Sequence, residues 1–91
     1  MPTISWFYGI AIRVFYNDHS PPHFHAFYQN REPRVAIETG EVIGGYLPTR
    51  PRRLVREWTL MYHDRLMEAW ALARAGRAPE RIPGLDADNA D

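Results

Sequence analysis

The sequence predicts an α+β fold: an antiparallel meander of about four short strands packed against one long C-terminal helix. Three observations carry that expectation. Between residues 10 and 43 apolar and polar side chains alternate in short runs separated by turn formers. Between residues 54 and 75 apolar side chains instead recur at three- and four-residue steps. The chain has 91 residues, 45% of them apolar, which is enough for one core and too few for two.

The elements follow in order. Ile10, Ile12, Val14 and Tyr16 fall on one face and Ala11, Arg13 and Phe15 on the other, the period of a half-buried strand. Asn17 to Pro22 is dense in turn formers, and neither proline can donate to a ladder, so a loop must follow. His23 to Gln29 reads as the second strand, with Phe24, Ala26 and Tyr28 on one face and His23, His25 and Phe27 on the other. Asn30 to Pro33 is read as a turn, Arg34 to Glu38 as a third strand, and Thr39-Gly40 as a tight connection into a fourth at Glu41 to Ile43, which Gly44-Gly45 ends.

Val55, Trp58, Tyr62, Leu66, Ala69 and Ala73 form the helical stripe, widened by Leu54, Met61 and Trp70. Thr49 is the expected N-cap, Pro51 sits in the first turn, and Gly76 suits the left-handed residue that closes the helix. A helix of about twenty-five residues spans ~37 Å, longer than the strands it covers. Its overhang must be covered either by the chain folding back through Ile82 and Leu85 or by a second copy, which motivates a homodimer. Trp6, Phe7 and Tyr8 are expected as core residues beneath the helix. Residues 1–85 are then a single α+β domain and 86–91 a flexible acidic tail.

Composition excludes several classes. Eleven basic residues balance eleven acidic ones, against a general DNA-coating protein, and the absence of cysteine removes disulfide frameworks, thiolate metal sites and cysteine nucleophiles. All the basic residues are arginine. The near-apolar stretch Ile4 to Ile12 is far below the ~20 residues of a membrane span and has no basic residue before it, so no membrane association and a cytoplasmic location are expected.

Chemistry concentrates in Asp18-His19-Ser20-Pro21-Pro22-His23-Phe24-His25. Two histidines two apart on a strand point to the same face and can supply two ligands to one divalent transition metal, zinc, nickel, manganese or iron. Asp18 or His19 could complete the site, and His63 is a more distant donor. The alternative is that these are packed, hydrogen-bonded strand residues. Histidine-triad nucleotide hydrolases alternate three histidines along a strand, but Phe27 stands where the third would be. A second feature is Arg50, Arg52, Arg53 and Arg56 at the helix start, where positive charge opposes the helix dipole; a bound anion, including a nucleic-acid phosphate, would resolve that conflict.

Met1-Pro2-Thr3-Ile4, Phe7-Tyr8-Gly9-Ile10, Asn17 to Ala26 with its Pro-Pro-His-Phe-His string, Ile37 to Ile43 and Leu54-Val55-Arg56-Glu57-Trp58 together resemble the bacterial and archaeal family catalogued as domain of unknown function 4160. The resemblance runs from Met1 to about Leu85. It implies no biochemistry, but such proteins tend to be encoded beside another small protein in toxin–antitoxin-like arrangements, so a cognate small protein partner is expected. Two readings follow. One is a small interaction protein, half of a toxin–antitoxin-like pair. The other is a metal-dependent hydrolase or nuclease using His23 and His25.

Overall fold

The structure, a computed structural model, describes residues 2–86; of the expected acidic tail, residues 87–91 lie outside the described residues. Five strands and two helices follow one another: β1 (Thr3–Phe7), β2 (Ile10–Arg13), β3 (His23–Tyr28), β4 (Arg34–Ala36), β5 (Val42–Gly44), α1 (Thr49–Met61) and α2 (His63–Arg74). The strands form one antiparallel sheet in the order β1-β2-β3-β4-β5. The α+β class and the meander stand as expected, with one more strand and one more helix.

The extra strand comes from the aromatic run near the N-terminus. Tyr8 and Gly9 have φ of 50° and 78°, both left-handed, and join Phe7 to Ile10 in the two-residue turn that matches the twist of a hairpin. Strand alternation then separates the aromatics that were expected to pack together. Phe7 is fully buried, whereas Trp6 points to the other face and is 61% exposed, and Tyr8 rides the turn at 54%.

The long helix divides at Tyr62, whose φ of −113° leaves helical geometry. Leu66 N–H still donates to the Tyr62 carbonyl and Tyr62 N–H to that of Trp58, so the hydrogen-bond ladder continues across the break. One turn earlier Thr59 Oγ1 donates to the Val55 carbonyl at 2.7 Å, and such back-bonding competes with the helix ladder and bends it. Thr49 is the first helical residue rather than the cap; Pro48 precedes it and no side chain caps the helix.

Ile10, Ile12, Phe24, Ala26 and Val35 of the sheet meet Val55, Trp58, Leu66, Ala69 and Ala73 of the helices in one hydrophobic core. Trp58 is its centre. Its ring lies 5.0 Å from Phe7 and edge-on to Phe24 at 5.7 Å, and its Nε1–H donates to the Pro83 carbonyl at 2.8 Å. The C-terminal segment is thereby held against β1, where Ile82 N–H donates to the Ile4 carbonyl at 2.7 Å and closes that sheet edge. Trp70 and Ala73, the residues whose exposure motivated a second copy, are buried within the chain. Ile82 folds back into the same core and is 4% exposed.

Trp58→Phe removes the indole N–H, leaves the Pro83 carbonyl unpaired and opens a small cavity, so urea denaturation should show a loss of about 2 kcal/mol.

Candidate metal centre

Three of the four candidate ligands on the 18–25 stretch converge. His23 and His25, alternate residues of β3, project from the sheet face opposite Phe24 and Ala26. Asp18 reaches them from the loop between β2 and β3. Asn17, at φ 56°, donates its backbone N–H to the Ala73 carbonyl at 3.2 Å and so ties this loop to the end of α2. Asp18 Oδ1 accepts the His19 backbone N–H at 3.0 Å, which leaves Oδ2 facing the two imidazoles. It lies 3.0 Å from His23 Nε2 and 3.6 Å from His25 Nε2, and one donor atom from each of the three residues lies within 4.8 Å of the others. Ligands on a tetrahedral ion with bonds of ~2.0–2.1 Å sit about 3.4 Å apart, so the two measured edges fit such an ion.

The ring orientations are held from behind. His23 is 5% exposed, and its Nδ1 lies 2.7 Å from the Pro21 carbonyl, in a segment where the Ser20–Pro21 peptide is cis. A carbonyl can only accept, so Nδ1 carries the proton and, in the neutral ring, Nε2 presents its lone pair to the cluster. Trp70 packs against this imidazole at 5.3 Å between centroids. His25 stacks on Phe15 at 4.2 Å, and its Nδ1 is buried with no hydrogen-bond partner. Glu32 Oε2 is 3.3 Å from that nitrogen, close enough for charge attraction but out of line for a hydrogen bond.

Partial burial pushes the Asp18 carboxyl up, but the His19 N–H and the facing His23 and His25 rings together outweigh it and hold the group below its ordinary carboxylate value. The ionised form, which a metal would need, is the favoured one.

The other candidates are placed elsewhere. The His19 side chain is 95% exposed and nears only the far oxygen of Asp18, at 3.9 Å. His63 stands on α2 beside Asp64, with 3.2 Å between them. Arg50, Arg52, Arg53 and Arg56 are all exposed on α1 and do not converge. Arg50 lines a groove with Tyr8 and Tyr28, Arg53 and Arg56 border another, and Arg56 is paired with Glu41 at 2.8 Å. None of the four lines the cleft of about 230 Å³ above the histidines.

That cleft holds a cation the sequence reading missed. Arg34 lines it and is the direct cross-strand partner of His25. Its guanidinium lies over Gly44, the residue paired with it on β5, where any Cβ would collide with it. The Tyr28↔Arg31 pairing across Gln29-Asn30, with Gln29 at φ 53°, makes a two-residue turn that sets the register bringing Arg34 opposite His25.

Compared with known proteins, residues 9–71 match the family described as Domain of unknown function (DUF4160). No curated protein and no solved structure matches the chain.

Because the folded-state pKa of Asp18 is lowered, its carboxylate contributes stability above the unfolded value of about 4 and loses it as pH falls through the folded value. Urea midpoints taken between about pH 7 and about pH 3 should show wild type above Asp18→Asn at the upper end and the gap closing at the acid end.

Proposed function

The chain belongs to the DUF4160 family, whose description assigns no activity, and we propose from its own geometry that it is a small metal-dependent hydrolase or nuclease in which Asp18, His23 and His25 hold one divalent transition-metal ion. The observation that carries this reading is the convergence of one carboxylate oxygen and two imidazole Nε2 atoms, one of them fixed as a lone-pair donor by the Pro21 carbonyl.

Two histidines and one carboxylate are a donor set used for zinc hydrolysis and for other divalent ions, with coordination positions left for water and substrate. A bound ion would supply Lewis acidity and a water of lowered pKa. The chain's own residues do the rest. Phe15 and Trp70 wall the imidazoles and exclude water from behind them. Glu32, rotating slightly about its half-exposed side chain, would accept the His25 Nδ1–H and lock that ring, an arrangement common behind metal-bound histidines. Arg34 adds a positive charge at the rim of the cleft.

Elemental analysis by plasma mass spectrometry of tag-free protein purified without chelators should find about one transition-metal ion per chain. The His23→Ala, His25→Ala double variant should carry none. The loaded protein should hydrolyse bis(p-nitrophenyl) phosphate and lose that activity with a chelator. His23 is buried, so His25→Ala alone, with circular dichroism as a check on folding, separates loss of the site from loss of the fold. Absence of metal from the folded wild-type protein would overturn the assignment.

A second reading, an interaction protein that pairs with a cognate small protein in a toxin–antitoxin-like system or with a second copy of itself, is favoured by one observation. Leu60 and Met61, side by side at the end of α1, are 49% and 56% exposed. Sedimentation at micromolar concentration distinguishes the copy from the foreign partner. A species at twice the 10.6 kDa chain mass that Met61→Glu dissolves would identify self-association; a monomer would reject it.

A further inference from the structure

The face of the sheet turned away from the core carries a second pattern. In the register of β1, β2 and β3, Trp6 pairs with Ala11 and Ala11 with Phe27; one step along, Arg13 pairs with His25 and His25 with Arg34. Directly paired residues share a face, so one row is aromatic, small, aromatic and the adjoining row is arginine, histidine, arginine. Arg13 joins the rows. Its guanidinium lies 4.3 Å over the Phe27 ring, held by a hydrogen bond from Nε to Thr3 Oγ1 at 3.1 Å. Trp6 is the most exposed large apolar side chain of the described residues, at 61%.

We infer that this face binds single-stranded nucleic acid, with unpaired bases stacking on Trp6 and the phosphodiester backbone crossing Arg13, His25 and Arg34 toward the Asp18–His23–His25 cluster. The inference rests on the proposed hydrolase for the fate of the strand, though not for its binding.

The chemistry on this face selects that partner over others. Flat rings interleaved with arginine forks on exposed strands suit bases and phosphates together, and a ring can stack only on a base that is not already paired. Among the described residues neither Arg13 nor Arg34 has a carboxylate partner within ion-pair distance, so both charges are available to phosphate. Two acidic side chains approach this row, both at His25: Asp18 Oδ2 lies 3.6 Å from its Nε2 and Glu32 Oε2 3.3 Å from its Nδ1, and neither reaches Arg13 or Arg34 within ion-pair distance. Arg50, Arg53 and Arg56 border other grooves, away from the histidines.

Fluorescence anisotropy tests the surface with labelled oligomers of about ten nucleotides: single-stranded RNA, single-stranded DNA and a duplex, each with protein stripped of metal by chelator and with protein loaded with zinc. Single strands should bind more tightly than the duplex in both states, and whichever of RNA or DNA binds more tightly names the nucleic acid. Trp6→Ala should weaken single-strand binding about tenfold while metal stoichiometry holds. Arg13→Gln and Arg34→Gln should each lower the slope of log affinity against log salt by about 0.7. No binding at low salt, equal binding of duplex, or affinity unchanged in Trp6→Ala would overturn the inference. Strand binding that follows Trp6 and the arginines in a protein that takes up no metal would sink the hydrolase and leave this surface standing. Metal without strand binding would do the reverse.

Discussion

A five-stranded sheet that packs one face into the core carries every alternate side chain to its other face, and that constraint shapes everything else here. Strand alternation divides β3 between two tasks: Phe24 and Ala26 sink into the core while His23 and His25, between and beside them, are carried to the other face. The packing of Phe24 edge-on to Trp58 therefore also sets the height and direction of the histidines. Placement of the three converging side chains thus comes from the same backbone that builds the core.

The cluster itself is expensive to bury. A polar atom taken out of water without a partner costs about 1–3 kcal/mol, and three such side chains are gathered within a few ångströms. Part of that penalty is offset: Pro21 takes His23 Nδ1–H, and the His19 amide meets Asp18 Oδ1. One atom is not compensated, His25 Nδ1, although Glu32 waits 3.3 Å away. Among the described residues Ser5 Oγ is the other buried side-chain atom left without a hydrogen-bond partner.

How much of this could be read from the sequence depends on whether the signal was local. Alternation revealed β2, β3 and the pairing of His23 with His25 on one face, and turn formers separated Asp18 from the strand it folds back upon. The first strand was hidden because Tyr8 occupies a left-handed turn position where asparagine or glycine is the usual mark. The bend at Tyr62 was hidden because apolar steps continue through it; only Thr59, a back-bonding residue within the stripe, hinted at it. Arg34 was hidden for a different reason. Nothing about its neighbours in sequence marks it, and only the register set by the Gln29-Asn30 turn brings it opposite His25.

Register also explains why the most conspicuous charge cluster in the sequence is not the one beside the histidines. Four arginines crowd the start of α1, with no acidic residue in its first turn to favour the dipole. A bound anion was one resolution of that conflict; for Arg56 the fold supplies another, Glu41, delivered by the β4–β5 turn. That turn can approach the helix because Gly40, at φ 74°, has no Cβ to meet the Arg56 backbone 3.2 Å away. Glycine acts in the same way at position 44, where the missing side chain gives Arg34 room to lie across β5. At both places a backbone position without a side chain decides where a guanidinium rests: in one case pinned to a carboxylate on the helical side, in the other unpaired beside the histidines. Of the eleven arginines only Arg56 forms an ion pair with a carboxylate among the described residues, so the chain's even balance of basic and acidic residues does not come from pairing them.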